Sequence, residues 1–253
     1  MLRPQAPASL IHVLLDEPGD GDRVVLEGGI AHHVGRVLRA RAGEAFTTSD
    51  GRGVIGRGVV AEVAGDKVVL EMHERQVMAP SPFRIRVLLP LLSGVRTAWA
   101  VEKVVEAGAD AVSPVLTRRG ARPPSAPTKL RERLQSIARA ATEQSRRAYL
   151  PAVDELMPLA DALSRGGETI VCADTVDCVP VSAALAGLSG PGAALLTGPE
   201  GGFDDSERTL LDDAGAVRVT LGPHVLRAET APVVLVGIVA FAVGILDAAP
   251  QTD

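Results

Sequence analysis

Two glycine-bearing loops, each directly after a short apolar run, constrain the fold of this chain most. The run Ala193–Thr197 indicates a buried strand, and the following Gly198–Gly202 is too rich in glycine to extend it. The run Val217–Leu221 indicates a second strand, and it leads through Gly222 and Pro223 into the charged segment Arg227–Thr230. Both loops are therefore suited to presenting backbone groups to a ligand.

The first loop also contains the start of a helix. Asp204 is a suitable N-cap, and Glu207 stands three residues later, where a capping-box partner belongs. A phosphate-binding loop is the alternative for this stretch. However, no lysine follows the glycines, and Glu200 would repel a phosphate. A carboxylate beside exposed backbone suits a cationic ligand better.

The rest of the chain divides into two halves with different rhythms. Residues 1–77 contain short β-type runs separated by turn signals, which predicts a small all-β barrel. These runs are Arg23–Glu27, Glu44–Thr48, Val54–Val63 and Lys67–Met72. Two prolines within 78–82 indicate a linker. Residues 83–249 then alternate strands with helices, which predicts a parallel sheet covered by helices on both faces. The elements before the two loops are Arg84–Leu89, Thr97–Ala107, Ala111–Leu116, Leu130–Tyr149 and Thr169–Ala173.

Charge is distributed unevenly over the 253 residues. Between Arg118 and Arg147 there are nine positive and two negative residues, a local net charge of +7, within a chain of net charge −5. This pattern predicts one basic surface on an acidic body. The only cysteines, Cys172 and Cys178, have no metal-binding spacing, so we expect reduced thiols and no metal. Without an export signal or a membrane-length apolar run, the expectation is a soluble, cytoplasmic protein.

Five blocks along the chain form an ordered set. The strongest are GPEGGF at 198–203 and LGPHVLRAETA at 221–231; the others lie at 32–39, 103–114 and 132–151. Together they resemble the RsmE family of 16S ribosomal RNA methyltransferases. The family belongs to the SPOUT superfamily, so the resemblance implies a PUA-like β-barrel followed by an α/β methyltransferase domain with a trefoil knot. It also implies transfer of a methyl group from S-adenosylmethionine to N3 of a uridine. General folding rules would not predict a knot, because threaded chains are very rare.

The resemblance also assigns site residues. For the cofactor these are Cys172, Leu196, Thr197, Gly198, Glu200, Gly201, Leu221, Gly222, Val225 and Leu226. For RNA they are Arg118, Arg119, Gln144, Arg146 and Arg147. From the first domain we add His33, Arg36 and Arg39, which could equally be ordinary surface residues. Methylation of uracil N3 requires loss of a proton, which Glu200 or Glu229 could accept while Arg227 stabilises negative charge on the ring. The residues do not choose between the two carboxylates.

The last apolar run predicts a homodimer. Val233–Leu246 contains no polar residue, so as a helix it must be buried on nearly all sides. Gly237, Ala240 and Gly244 would form a small-residue face for a close crossing with a partner helix. Two rival functions stay open: methylation of a ribose 2′-hydroxyl, and a ribosome-assembly factor that kept the fold without the chemistry. The LRAETA block favours N3 methylation over the first, and the intact glycines favour an enzyme over the second.

Overall fold

The computed structural model of the protein describes residues 11–16, 21–188 and 190–247. The chain forms two compact units. One contains the described residues up to Pro80 together with Thr142–Leu150, and the other contains Ser81–Ala141 and the described residues from Pro151 onward. The outer ends of the predicted domains 1–77 and 83–249 therefore lie outside the described residues.

A five-stranded sheet forms the N-terminal unit. Its strands are β1 (Ile11–Leu14), β2 (Arg23–Glu27), β3 (Ala45–Ser49), β4 (Val54–Ala64) and β5 (Lys67–Val77). They are arranged in the order β1-β3-β4-β5-β2, with β1 parallel to β3 and the other pairs antiparallel. Four strands match the predicted runs, whereas the run of β1 was not predicted. Alternate residues of these strands, including Val13, Phe46 and Leu70, form the core.

Residues 28–37 depart from the all-β prediction. They form the short helix α1 (Gly28–His32) and one π-helical turn (His33–Val37) between β2 and β3. Ala31 and Val34, three residues apart, lie on the buried side and join the core of the sheet. His33, Arg36 and Arg39 lie on the exposed side.

A parallel sheet organises the C-terminal unit. Its strands are β6 (Arg84–Pro90), β7 (Ala111–Leu116), β8 (Ala152–Val153), β9 (Met157–Pro158), β10 (Thr169–Ala173), β11 (Val179–Pro180), β12 (Gly192–Thr197) and β13 (Val217–Thr220). The order is β11-β13-β10-β12-β6-β7-β8, with β9 also paired to β7, and every one of these pairs is parallel. The predicted parallel sheet is thus confirmed.

Helices cover both faces of this sheet. They are α2 (Gly94–Glu106), α3 (Pro127–Gln144), α4 (Leu159–Leu163), α5 (Val181–Ala186), α6 (Asp205–Asp213) and α7 (Thr230–Ala242). One face packs against α2, α3, α5 and α7, and the opposite face packs against α4 and α6. Within the described residues, no helix combines the length and apolar character needed to cross a membrane.

Two predicted helices end earlier in the structure. The helix predicted over Leu130–Tyr149 stops at Gln144. Beyond its end, Arg146 adopts a left-handed backbone conformation with φ +56°. The segment Thr142–Leu150 belongs to the N-terminal unit, where Tyr149 Oη donates a 2.7 Å hydrogen bond to the carbonyl of Met78. The last apolar helix stops at Ala242, and Gly244 has φ +76° outside it. Since Ala240 is fully buried in the core of its own unit, the predicted small-residue face of Gly237, Ala240 and Gly244 is wrong.

Candidate active site

The two glycine loops lie together at one end of the parallel sheet. They follow the carboxyl ends of β12 and β13, the two strands that flank β10. A cleft of about 910 Å³ opens between the loops, the end of β10 and the first turn of α2. Its lining includes Asp174, Thr197–Gly202, Thr220–Glu229 and several arginines.

Most of the residues predicted to bind the cofactor line this cleft. They are Thr197, Gly198, Glu200, Gly201, Leu221, Gly222, Val225 and Leu226. The side chains of Cys172 and Leu196 do not: both are fully buried in the core beneath α4 and α6. Side chains along a strand alternate between its two faces, so Ala173 and Thr197 border the cleft in their place. We correct the prediction for these two side chains accordingly.

The predicted capping box fixes the end of the first loop. Asp204 Oδ1 accepts from the Glu207 amide at 2.9 Å, and Glu207 Oε2 accepts from the Asp204 amide at 3.0 Å. Hydrogen bonds from Ser206 Oγ and the Glu207 amide lower the pKa of Asp204. Glu207 is buried, and its other oxygen accepts from the Arg118 amide at 2.8 Å. The loop is thereby tied to the segment after β7.

Arg119 binds the same loop, a role that the sequence did not predict. Its Nη1 donates to the carbonyl of Gly201 at 3.0 Å. Its neighbour Arg118 keeps a side chain that is 70% exposed, with Nε 3.3 Å from Asp204 Oδ2. Both of these arginines were predicted to bind RNA, but Arg119 supports the cleft wall, while Arg118 presents its charge to solvent.

Three carboxylates face the cleft in different states of pairing. Asp174, at the end of β10, is buried and accepts from Arg208 Nε at 2.9 Å and from the Thr175 amide at 2.7 Å. Its hydrogen bond with Arg208, aided by its charge, raises the pKa of that guanidinium. Glu200 is partly exposed and accepts from Arg96 Nη1 at 2.9 Å. These two side chains already hold strong partners.

Glu229 differs from the other two carboxylates. Its side chain is only 12% exposed, and Oε1 lies 3.9 Å from both Arg96 Nε and Arg227 Nη1. Within the described part of the chain, its Oε2 is buried and has no hydrogen-bond partner. The hydroxyl of Thr197, also on the cleft, is in the same state. Buried polar atoms without partners are costly, so both atoms are poised to bind a ligand.

Arg96 and Arg208 are site residues that sequence reasoning missed. Both stand on helices rather than in the glycine loops, and a single arginine on a helix is typical of a solvated face. The one available signal was that Arg96 closely follows β6, since parallel strands place their carboxyl ends at one edge of the sheet.

The residues predicted to bind RNA are divided between the two units. The N-terminal unit contains six of them: the exposed His33, Arg36, Arg39 and Gln144, and the half-buried Arg146 and Arg147. The C-terminal unit contains the other two, Arg118 and Arg119. Arg146 and Arg147 thus lie beyond the end of α3, and the predicted RNA-binding residues come from several elements. The two cysteines are free thiols, one buried and one partly exposed.

Comparison with known proteins agrees with the fold. Residues 79–240 match the model of an RNA methyltransferase domain, and residues 26–72 match an RNA methyltransferase PUA domain. Ribosomal RNA small subunit methyltransferase E of Mycobacterium bovis is 33% identical over 90% of this chain and 88% of its own length. The enzyme of the same name from Synechocystis is 35% identical over 83% of this chain and 70% of its own length.

Solved structures give the same result. The crystal structure of a ribosomal RNA small subunit methyltransferase E from Neisseria gonorrhoeae bound to S-adenosyl methionine is 28% identical, with a TM-score of 0.80. The match covers 92% of this chain and 97% of the Neisseria gonorrhoeae chain. The resemblance seen in the five sequence blocks is confirmed: the chain belongs to the ribosomal RNA small subunit methyltransferase E family of RNA methyltransferases.

Proposed function

We propose that the protein transfers a methyl group from S-adenosylmethionine to N3 of a uridine in 16S ribosomal RNA. The observation that carries this proposal is the cleft at the sheet edge, where a buried carboxylate faces two glycine loops with one oxygen that has no partner among the described residues. The relatives named for small-subunit ribosomal RNA methylation supply the substrate class, and the Neisseria gonorrhoeae structure supplies the cofactor.

The residues of the cleft fit this cofactor. Its adenine can be read by the backbone amides and carbonyls of the two loops, and the unpartnered Thr197 hydroxyl offers one more polar group. The Glu200 carboxylate, which lines the cleft, suits its positively charged amino and sulfonium groups. When bound, the cofactor supplies an electrophilic methyl group.

We assign Glu229 as the acceptor of the N3 proton. The N3–H bond breaks as the N3–methyl bond forms, and Glu229 Oε2 takes the proton while the sulfonium becomes a neutral thioether. Glu200 is the weaker candidate, because it is more exposed and its Oε1 is already bound by Arg96. Arg227, 79% exposed at the mouth of the cleft, is placed to stabilise negative charge developing on the uracil oxygens.

RNA binding is assigned to polar and basic residues of both units. His33, Arg36, Arg39, Gln144, Arg146 and Arg147 would contact RNA from the N-terminal unit, and Arg118 from the C-terminal unit. Phosphate contacts by arginine are strong and depend on salt, so most of the affinity should be electrostatic. The domain limits 1–77 and 83–249 and a cytoplasmic location complete the proposal.

The trefoil knot and the homodimer also belong to the proposal. In support of the knot, the chain leaves β13 and returns as α7 to pack against β12, β6 and α2. In support of the dimer, Val95 and Trp99 of α2 and Phe241 of α7 keep large apolar side chains exposed on two helices that contact each other. A second copy of the chain would cover them. No metal is part of the proposed chemistry.

Two substitutions of similar size test the catalytic assignment. Glu229→Gln should lower kcat by roughly 10²- to 10⁴-fold, the usual contribution of a proton acceptor, with nearly normal cofactor affinity. Glu200→Gln should retain most of kcat. Calorimetric titration with S-adenosylmethionine and methyl incorporation into 16S ribosomal RNA measure the two quantities. Equal activity of wild type and Glu229→Gln would overturn the assignment, and absence of cofactor binding by the wild type would overturn the function.

A further inference from the structure

Arg96 lies where it can act on both glycine loops at once. It occupies the first turn of α2, and its amide donates to the Ser93 carbonyl at 2.8 Å. The next residue, Thr97, is buried, and its hydroxyl makes hydrogen bonds of 2.9 and 3.0 Å with the amide and the carbonyl of Leu92. The turn that carries Arg96 is therefore fixed to the end of β6.

The guanidinium of Arg96 lies between two carboxylates from different loops. Nη1 donates to Glu200 Oε1 at 2.9 Å, and Nε lies 3.9 Å from Glu229 Oε1. Glu200 stands in the loop after β12, and Glu229 in the loop after β13. Arginine suits this position, because its planar group presents several donors in a fixed geometry, whereas lysine acts as a compact point charge.

This contact is not explained by stability of the fold. The side chains of Arg96 and Glu200 are 44% and 41% exposed, and exposed ion pairs contribute little to folding. Its effect falls instead on Glu229, whose Oε1 lies near two guanidinium groups while Oε2 stays without a partner in the described residues. Attraction of Oε1 toward Arg96 leaves Oε2 as the oxygen available to a ligand.

We propose that Arg96 is a positioning residue that joins the two loops through Glu200 and holds Glu229 with Oε2 free to accept the proton from the target base. This inference rests on the proposed function of Glu229. Arg96 itself touches no reacting atom in this scheme. Its influence on the rate must then pass through the two carboxylates.

The first experiment compares Arg96→Ala and Arg96→Lys with Lys103→Ala. Lys103 is a matched control, because it is a cation on the same helix with two carboxylate partners, Glu102 and Glu106, outside the cleft. Arg96→Ala should lower kcat by about 10- to 100-fold, as small misplacements of catalytic groups do, and weaken cofactor binding. Its Tm should fall no more than that of Lys103→Ala. Arg96→Lys should recover part of kcat, and Lys103→Ala should retain it.

The second experiment separates positioning from direct RNA contact. In a Glu229→Gln background, Arg96→Ala should change kcat by less than about twofold, because the group it positions is already gone. A full, additive loss in that background, or a rise in KM for RNA with unchanged kcat, would overturn the inference. So would wild-type kinetics of Arg96→Ala, or a loss of activity matched by unfolding.

Different results would overturn the proposed function and the role of Arg96. If the wild type transfers no methyl group, or if Glu229→Gln is fully active, the proposed function fails. If Glu229→Gln is inactive while Arg96→Ala has normal kcat and cofactor affinity, only the role of Arg96 fails.

Discussion

Arg119 packs directly over Gly201. Its Nη1 donates to the Gly201 carbonyl at 3.0 Å, and a Cβ built on Gly201 would lie 2.9 Å from the Cβ of Arg119. Real Cβ atoms essentially never lie that close to another heavy atom, so any larger residue must displace the loop or the arginine. The glycine at 201 is therefore required by the close approach of Arg119, a reason that the sequence did not reveal.

Gly201→Ala should weaken S-adenosylmethionine binding by at least about tenfold, because the wall of the cleft shifts. The Tm should change little, since the loop is at the surface. Gly187→Ala is the matched control: a Cβ there makes only an ordinary contact at 3.6 Å with the Ala184 carbonyl. Calorimetric titration measures the affinity. Normal binding by Gly201→Ala would show that the loop does not hold the cofactor.

RNA affinity should depend on Arg146 and Arg147. Replacing both with alanine should weaken binding and reduce the slope of log affinity against log salt by up to about 0.9 for each lost phosphate contact. Cofactor affinity should stay the same, because neither residue lines the cleft. The exposed pair Arg23 and Arg165, replaced together, serves as the control for loss of charge alone. Equal slopes for the two double variants would contradict the assignment.

Stability of the N-terminal unit should fall on mild acidification because of His12. This residue is buried in β1, with Nδ1 2.7 Å from Thr47 Oγ1 and Nε2 3.1 Å from Ser49 Oγ. Burial, aided by the charge of Arg146, lowers its pKa to about 4 from 6.5. Between those values the unfolded chain binds a proton that the folded chain does not. The stability that the neutral, buried imidazole of His12 contributes is therefore full above pH 6.5 and is lost as the pH falls toward 4.

Between pH 7 and pH 5 this effect amounts to roughly 2 kcal/mol. His12→Asn, which cannot ionise, should lose less stability over the same interval than the wild type does. Calorimetric unfolding at the two pH values gives the comparison. Identical pH dependence of the two proteins would show that His12 does not titrate in this way.

The two thiols should react at very different rates. Burial raises the pKa of Cys172 well above its ordinary value, and its side chain is fully enclosed by the core. Burial also raises the pKa of Cys178, but that thiol is partly exposed. A thiol reagent should therefore modify Cys178 in the native protein and Cys172 only after unfolding. Mass spectrometry of peptides after timed labelling checks this, and modification of Cys172 in the native protein would contradict the packing described.

The sequence predicted elements with a regular pattern better than those set by tertiary contacts. Short apolar or β-type runs located β4, β10 and β12, and the Asp204–Glu207 capping box was predicted from spacing alone. The two-residue strands β8, β9 and β11 carry too little pattern to be recognised. The early end of α3 at Gln144 depends on contacts of Thr142–Leu150 within the N-terminal unit, which no local propensity encodes.

The site shows the same limit. Glycine and charge patterns identified both loops, because such turns need residues of particular backbone freedom. Arg96 and Arg119 were missed as cleft residues, since their positions depend on the strand order β12-β6-β7 in the sheet. Strand order is a property of the whole fold. For the same reason the sequence could not choose between Glu200 and Glu229, which differ only in burial and partners.

Methylation of uracil N3 is tested most directly by the chemical identity of the product. Purified protein, S-adenosylmethionine with a labelled methyl group and 16S ribosomal RNA lacking the modification would be incubated together. The RNA would then be digested to nucleosides and separated by mass spectrometry. We expect the label in N3-methyluridine with the wild type, and most of this label should be lost with Glu229→Gln. Label in a 2′-O-methylated nucleoside, or none with the wild type, would contradict the account.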